Sequence, residues 1–157
     1  METSLPHQVY LGLGSNLGDR ESRLYESIRL IGERVGRVIR QSSFIETEPW
    51  GFESQHRFLN AVILCETTKT PREVLQLTQQ IERDMGKSQQ HATRRSPSSM
   101  ANTQSPVYKD RPIDIDILLY DDISVDEPDL KIPHPLMKKR DFVMIPLKEI
   151  RNTAVST

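Results

Sequence analysis

The chain has 157 residues, of which 36% are hydrophobic and 27% charged, and its formal net charge is −1. These values predict one soluble globular domain over residues 1–157 and argue against a global attraction to nucleic acid or to anionic membranes. No apolar run reaches the roughly 18 residues of a membrane span, and the N-terminus has no signal-like apolar stretch, so we expect a cytoplasmic protein. The single cysteine, Cys65, lies in an apolar run and is expected to be a buried structural thiol.

The first part of the chain predicts a strand, a helix and two further strands. In chain order these are a strand at 9–14, a helix from Arg20 to about Arg34, a strand at 36–47 and a strand at 57–67. Asn16 and Asp19 are both candidates to cap the helix. Between the last two strands, Pro49 and Gly51 predict a loop.

The second part predicts a helix, a long loop and a further strand. The helix begins with Thr70 as its N-cap and Pro71 in its first position, and it ends at Gly86. The polar segment 87–110 is expected to form a long mobile loop. A strand follows at 111–120, then a turn, a short strand, a loop and a short terminal helix.

The order strand, helix, strand, strand, helix, strand, with a C-terminal extension, predicts an α+β fold. It is typical of the ferredoxin-like split βαβ arrangement, an antiparallel sheet with helices on one face. A fold of this kind does not by itself decide a function.

Asp114 and Asp116, in "RPIDIDILLYDD" at 111–122, share one face of the predicted strand, since alternate residues of a strand point the same way. The apolar residues of this run face the other way: Ile113, Ile115, Ile117 and Leu119. Roughly 5 Å apart at an effective dielectric of about 20, two carboxylates repel by about 3 kcal/mol. A bound divalent cation removes that cost, and one or two Mg²⁺ ions would fit; the plain alternative is a solvated face on an edge strand. Asp121 and Asp122, at the end of the run, are expected to be turn residues.

Basic residues surround this pair and together suggest a clamp for polyphosphate, although each alone is typical of a charged surface. They are Arg111, His134, Lys138, Lys139 and Arg140, with Lys87, Arg94, Arg95 and Lys109 in or beside the long loop. The glycines at 12, 14 and 18 form a tight strand-to-helix turn or a phosphate loop, and match neither standard phosphate motif.

Several aromatic residues precede or begin the strand at 57–67: Trp50, Phe52 and Phe58. Asn60, within that strand, needs hydrogen-bond partners if it is buried. These residues belong to the core, or Phe58 and Asn60 together bind a planar heterocycle that both stacks and forms hydrogen bonds.

Five blocks in the same order resemble the 2-amino-4-hydroxy-6-hydroxymethyldihydropteridine pyrophosphokinases, folate-pathway enzymes that move a diphosphate from ATP to a pterin alcohol. The blocks are "LGLGSNLGDR", "SSFIETEPWG", "FLNAV", "RPIDIDILLY" and "IPHPLMKKRDFVMIPLKEI". The resemblance runs from about Val9 to Ile150, with one gap.

This resemblance implies a role for each matched residue. For the metal, it implies two Mg²⁺ ions on Asp114 and Asp116. For the pterin, it implies contacts from Thr47, Glu48, Trp50 and Asn60, with Phe58 and Phe142 as a sandwich. For ATP, it implies phosphate contacts from Arg111, His134 and Arg140 and nucleotide contacts from Gln79, Glu82, Lys87, Tyr108 and Ile117. ATP and the pterin alcohol are the only partners it implies.

The chain departs from the family in the gap between the second helix and the aspartates. Many members carry G-R-x-R after the helix, where this chain reads "GKSQ", so Lys87 and Gln89 replace two arginines. R-W-G-P-R becomes "VYKDR", where Tyr108 takes the place of the tryptophan and Arg111 keeps its charge. Two alternatives therefore stay open: another metal-dependent phosphotransferase or nucleotidyltransferase, and a non-catalytic ligand-binding module.

Overall fold

The computed structural model describes residues 6–16, 19–47, 58–93 and 113–155. Seven strands and three helices lie within these segments. They are β1 (His7–Ser15), α1 (Arg20–Arg34), β2 (Arg37–Gln41), β3 (Ile45–Thr47), β4 (Phe58–Thr67), α2 (Pro71–Thr93), β5 (Asp114–Tyr120), β6 (Val125–Glu127), β7 (Leu130–Ile132) and α3 (Asp141–Val155). One turn of 3-10 helix, Met137–Lys139, precedes α3. None of the helices in the described segments has the length and apolar character needed to cross a membrane.

The main sheet is antiparallel throughout, with the strand order β2-β4-β1-β5 and with β3 paired to β4. This confirms the α+β class, and the order is compatible with the predicted split βαβ arrangement. The predicted strand at 36–47 is interrupted. Gln41 pairs with Ile63 and Ile45 pairs with Asn60, so residues 42–44 lie opposite only Ala61 and Val62 and form a bulge, called below the 42–44 bulge.

Each face of the sheet buries its own apolar cluster. Helices α1 and α2 cover one face, through residues such as Leu24, Ile31, Val74 and Ile81 packed on the strands. The prediction of helices on one face holds for these two. The other face is covered by α3, whose Val143, Leu147 and Ile150 pack against Val62, Leu64 and Leu118. At 15 residues, α3 is also longer than the short terminal helix predicted from the sequence.

The helix starts agree with the capping residues in the sequence. Asp19 caps α1, because its Oδ1 accepts a hydrogen bond of 3.2 Å from the Ser22 N–H. Thr70 and Glu73 form a reciprocal capping box at α2: the Glu73 N–H donates to Thr70 Oγ1 at 3.1 Å, and the Thr70 N–H donates to Glu73 Oε1 at 2.9 Å.

The predicted end of the second helix at Gly86 is wrong, because α2 continues to Thr93. A glycine costs only about 1 kcal/mol inside a helix, which the surrounding structure readily overrides. Residues 87–93, predicted as the start of a mobile loop, are therefore helical. The rest of that predicted loop, 94–110, lies outside the described residues.

A bulge also interrupts the pairing of β5 with β1. Leu11 pairs with Ile117 and Tyr10 with Leu119, which leaves Leu118 as the extra residue. Leu118 and Leu119 consequently both pack into the α3-side cluster. The prediction that Leu119 shares a face with Ile113, Ile115 and Ile117 is therefore wrong.

The turn after β5 does more than reverse the chain. Asp121 has a positive φ of 49° and its carboxylate accepts hydrogen bonds from the Gln8 N–H at 2.8 Å and from His7 Nδ1 at 2.7 Å. Its own N–H donates to the Gln8 carbonyl at 2.7 Å. Asp121 therefore fastens the start of β1 to the end of β5, a role that the turn prediction did not include.

Candidate functional site

One row of paired residues crosses four strands of the sheet. Ile45 pairs with Asn60, Asn60 with Gly14, and Gly14 with Asp114. Because neighbouring strands lie about 4.8 Å apart, the Asn60 and Asp114 backbones are about 10 Å apart, with a glycine between them. The predicted pterin-binding amide and a predicted metal ligand are therefore brought to one small region.

The second predicted metal ligand lies in the next row on the same face. Gly12 pairs with Val62 on one side and with Asp116 on the other. Both aspartates are half-buried, whereas Ile113, Ile115 and Ile117 are buried on the opposite face. The structure therefore confirms the predicted alternation of aspartate and isoleucine side chains in this part of the strand.

Gly14 leaves space that any side chain would fill. A Cβ at this position would lie 3.0 Å from Asn60 Oδ1 and 3.6 Å from Phe58 Cδ1. The nearest neighbour of a Cβ on Gly12 would be the Leu118 side chain, at 3.4 Å. The surface of β1 between the amide and the carboxylates is therefore bare backbone, flanked by Phe58 and Asn60.

Asn60 is nearly buried, with 5% of its surface exposed. Its Nδ2 donates a long hydrogen bond of 3.5 Å to the Ile45 carbonyl, so β3 and Gly14 flank the amide from its two sides. Phe58, two residues earlier on β4, shares its face and is half-buried. This pair offers a flat ring beside an amide edge, the combination that a planar heterocycle requires.

The two aspartates fit a cation shared with a substrate. No group of three or more His, Cys, Asp or Glu side chains that could hold a metal occurs among the described residues. Mg²⁺ is commonly held by one or two carboxylates together with substrate phosphates, rather than by a cage made only of protein ligands. The donor set present therefore suits a magnesium ion that arrives with a polyphosphate.

His134 is positioned by the bulge in β5. Its backbone N–H donates to the Leu118 carbonyl at 3.0 Å, and its ring Nδ1 accepts a hydrogen bond of 3.2 Å from the Leu136 backbone N–H. Burial and the positive charge of Arg140 lower the pKa of His134 below 6.5, while Asp114 acts in the opposite direction. We assign the neutral imidazole, with its proton on Nε2, because Nδ1 is an acceptor.

Arg140 stands at the start of α3, beside Phe142. Its carbonyl accepts hydrogen bonds of 2.9 Å from the Val143 and Met144 N–H groups. Its guanidinium carbon lies 5.5 Å from the centroid of the Phe142 ring, within the range of a cation–π contact. The first turn of α3 therefore presents a positive charge and an aromatic ring side by side. Lys138 and Lys139, in the preceding turn, are exposed.

Of the predicted nucleotide residues, Glu82 contacts the edge strand β5 and Ile117 belongs to that strand. Glu82 is half-buried, and its Oε2 accepts a hydrogen bond of 2.7 Å from the Ile115 N–H, between the two aspartates. Gln79 is exposed one turn earlier on α2. The Ile117 side chain is buried in the core, so only its backbone is available to a nucleotide. Lys87 belongs to α2.

Other predicted residues cannot be placed in this region. Thr47 ends β3, where it pairs with Phe58. The following predicted residues lie outside the described part of the chain: Glu48, Trp50, Phe52, Arg94, Arg95, Tyr108, Lys109 and Arg111.

Sequence reasoning missed three contributors to this region. Gly14 was predicted to end the strand at 9–14, at a strand-to-helix turn, but the space that it leaves beside Asn60 was not predicted. The other two are Ser43, on the 42–44 bulge, and Glu149, on α3, which are joined by hydrogen bonds. The adjacent serines at 42 and 43, which break an otherwise alternating run, were the available signal for the bulge.

Comparison with known proteins decides the family. Residues 10–152 match the family model described as 7,8-dihydro-6-hydroxymethylpterin-pyrophosphokinase (HPPK). The chain belongs to this family. A relative from Porphyromonas gingivalis, named 2-amino-4-hydroxy-6-hydroxymethyldihydropteridine pyrophosphokinase, is 48% identical over 143 residues, covering 90% of this chain and 89% of the relative. A relative of the same name from Aquifex aeolicus is 37% identical, covering 94% and 82%.

A solved structure supports the fold of this HPPK family member. It is described as HPPK-DHPS in complex with substrates, and it matches with a TM-score of 0.66 at 14% identity. The match covers 92% of this chain and 40% of that one, so this chain spans less than half of the larger protein. At this level of identity the likeness concerns the fold.

Proposed function

We propose that this HPPK family member transfers the diphosphate of ATP to the hydroxymethyl group of 6-hydroxymethyl-7,8-dihydropterin and releases AMP, as a step of folate synthesis. Family membership supports the reaction, and the names of the relatives state it for those proteins. Within this structure, the proposal rests on the row of paired residues Asn60, Gly14 and Asp114. That row supports a heterocycle site and a polyphosphate site next to each other, with Gly14 between them. We also propose that residues 1–157 form a single domain.

On the pterin side, the proposal assigns recognition to Asn60 and stacking to Phe58 and Phe142. A buried amide that reads a heterocycle edge rejects ligands lacking the matching groups, since its own polar atoms would be left unpaired. The bare backbone at Gly14 lets the ring approach β1. Residues Thr47, Glu48 and Trp50 are proposed to complete this pocket.

On the ATP side, the proposal assigns charge stabilisation to Arg140 and Arg111 and a hydrogen bond to His134. A neutral imidazole with its proton on Nε2 donates to a phosphate oxygen without needing to titrate. Gln79, Glu82, Lys87, Tyr108 and Ile117 are proposed to contact the nucleotide.

Asp114 and Asp116 are proposed to hold one or two Mg²⁺ ions. When bound, Mg²⁺ supplies neutralisation of the charge on the transferring phosphates. The reaction is an in-line displacement at the β-phosphorus. The pterin hydroxyl oxygen forms a bond to this phosphorus, the bond from the phosphorus to the oxygen that bridges it to the α-phosphate breaks, AMP leaves with that oxygen, and the hydroxyl proton passes to solvent. Such a transfer needs positioning and charge stabilisation more than a covalent intermediate.

The test is to incubate the protein with ATP, Mg²⁺ and the pterin alcohol and to identify the nucleotide product. AMP formed only when the pterin alcohol is present supports the proposal. ADP as the product, or AMP formation that does not depend on the pterin, would instead support another phosphotransferase. Binding of the pterin without turnover would support a non-catalytic module.

A further inference from the structure

The 42–44 bulge has no part in the roles assigned above, although it lies directly before the pterin side of the site. Ile45 follows it, and the Ile45 carbonyl accepts the hydrogen bond from Asn60. A bulge re-aims backbone groups that would otherwise pair within the sheet. The hydrogen-bond partners of the residues in the 42–44 bulge therefore affect how Asn60 is held.

Ser42 keeps the inner side of the bulge attached to β4. Its N–H donates to the Val62 carbonyl at 2.9 Å, and its Oγ accepts from the Val62 N–H at 2.9 Å. The same hydroxyl donates to the Ser43 carbonyl at 2.8 Å. The Ser42 side chain thus replaces a backbone acceptor that the bulge removes from the ladder.

Ser43 directs both of its donors to one carboxylate on α3. Its N–H lies 3.1 and 3.2 Å from the two carboxylate oxygens of Glu149, and its Oγ donates to Glu149 Oε2 at 2.9 Å. Hydrogen bonds to an ionised acceptor are stronger than those between neutral groups. The outer side of the bulge is therefore tied to α3.

The other side of β3 is held by α1. The Phe44 ring lies 5.1 Å from the Tyr25 ring, and Arg20 forms an ion pair of 2.7 Å with Glu46. These contacts do not involve α3. Loss of the contact between Ser43 and α3 should therefore loosen β3 without detaching it.

Glu149 and Phe142 occupy the same side of α3, since seven residues make about two helical turns and about 10 Å. One helix thus meets the 42–44 bulge through Glu149 and carries Phe142, which packs against the apolar cluster on that face of the sheet. We propose that Glu149 is a positioning residue for the pterin site: by holding Ser43, it fixes β3 and Asn60 relative to Phe142. The inference rests on the proposed function, because the pterin defines what is positioned.

The kinetic test compares Glu149→Ala with Glu149→Gln and with Lys148→Ala, an exposed neighbour on α3. In Glu149→Ala, KM for the pterin alcohol should rise about fivefold or more while KM for ATP changes less than about twofold, since the lost hydrogen bonds hold only the pterin side of the site. Glu149→Gln should recover most of the affinity, because its amide oxygen still accepts from the Ser43 N–H. Lys148→Ala should match the unmodified protein.

A second readout does not depend on turnover. The side-chain amide resonances of Asn60 should shift in Glu149→Ala and stay in place in Lys148→Ala. Ser43→Ala, which retains the backbone donor, should give a smaller shift and a smaller rise in KM, and it serves as the test if Glu149→Ala does not fold.

The outcomes separate this inference from the proposed function. If the unmodified protein forms no AMP, the proposed function fails and the positioning role fails with it. If AMP forms, but the variants lower thermal stability without a change confined to pterin KM, Glu149 is only a structural residue and the inference is overturned. An unmoved Asn60 resonance together with unchanged pterin KM overturns it as well.

Discussion

Substitution of Gly14 by alanine tests whether the bare surface of β1 is part of the pterin site. The new Cβ would lie 3.0 Å from Asn60 Oδ1, about 0.4 Å closer than an ordinary contact allows. The Asn60 amide must therefore move by a few tenths of an ångström, toward the Ile45 carbonyl that its Nδ2 contacts at 3.5 Å. A displaced amide no longer meets the edge of the heterocycle with good hydrogen-bond geometry.

The expected cost falls on binding rather than on folding. Loss of one or two hydrogen bonds to the pterin, at about 1 kcal/mol each, should weaken pterin affinity about tenfold. Alanine also restricts the unfolded chain, which stabilises by about 0.4–1 kcal/mol and offsets much of the strain at Asn60. The free energy of unfolding should therefore change by less than about 1 kcal/mol.

Gly12→Ala is the matched control for this substitution. Gly12 lies on the same strand and face, but the nearest neighbour of its Cβ would be Leu118, at the ordinary contact distance of 3.4 Å. The assay is calorimetry of pterin binding in the presence of Mg²⁺ and a non-hydrolysable ATP analogue, with thermal unfolding of both variants. Equal pterin affinities for the two variants would refute the reasoning.

Three further predictions concern charge, capping and pH. Asp114→Asn or Asp116→Asn should lower AMP formation about a hundredfold or more without lowering the free energy of unfolding in the absence of cation; full activity in both would contradict the metal site. Thr70→Ala should lower the free energy of unfolding in urea by about 1 kcal/mol with KM unchanged, and no measurable loss would contradict the capping box. Burial raises the pKa of Asp121, but hydrogen bonds from the start of β1 lower it below 3.8, so its stabilising effect is present near neutral pH and is lost as pH falls through the folded-state pKa. The difference in stability between Asp121→Asn and the unmodified protein should accordingly shrink in acid, and a difference independent of pH would be inconsistent with this.

Features that depend on local rules could be predicted from the sequence. The alternation from Ile113 to Ile117 follows from the two-residue period of a strand, and it places Asp114 and Asp116 together without knowledge of the partner strand. The N-caps Asp19 and Thr70 were predictable for the same reason, since a cap acts within three residues of itself.

Features that depend on the partner strand could not be predicted. The extra residue at Leu118 and the 42–44 bulge arise from the register against β1 and β4, and the sequence of one strand does not contain that register. The contact of Ser43 with Glu149 joins residues 106 positions apart. Helix α2 passes through Gly86 because a single glycine costs a helix only about 1 kcal/mol, which does not suffice to end it.

The position of β5 has a consequence for solubility. In the described part of the chain β5 lies at one edge of the sheet, opposite β2, and such an edge invites pairing with another copy of the same chain. The run "IDIDILLY" begins with alternating apolar and acidic residues and is rich in β-forming residues, which favours such pairing. The Ile115 N–H already donates to Glu82 and is not available to another strand. The two aspartate charges repel those of a second identical strand. The carboxylates proposed to gather magnesium and ATP therefore also keep the molecules apart, and variants that neutralise them should aggregate more readily during expression.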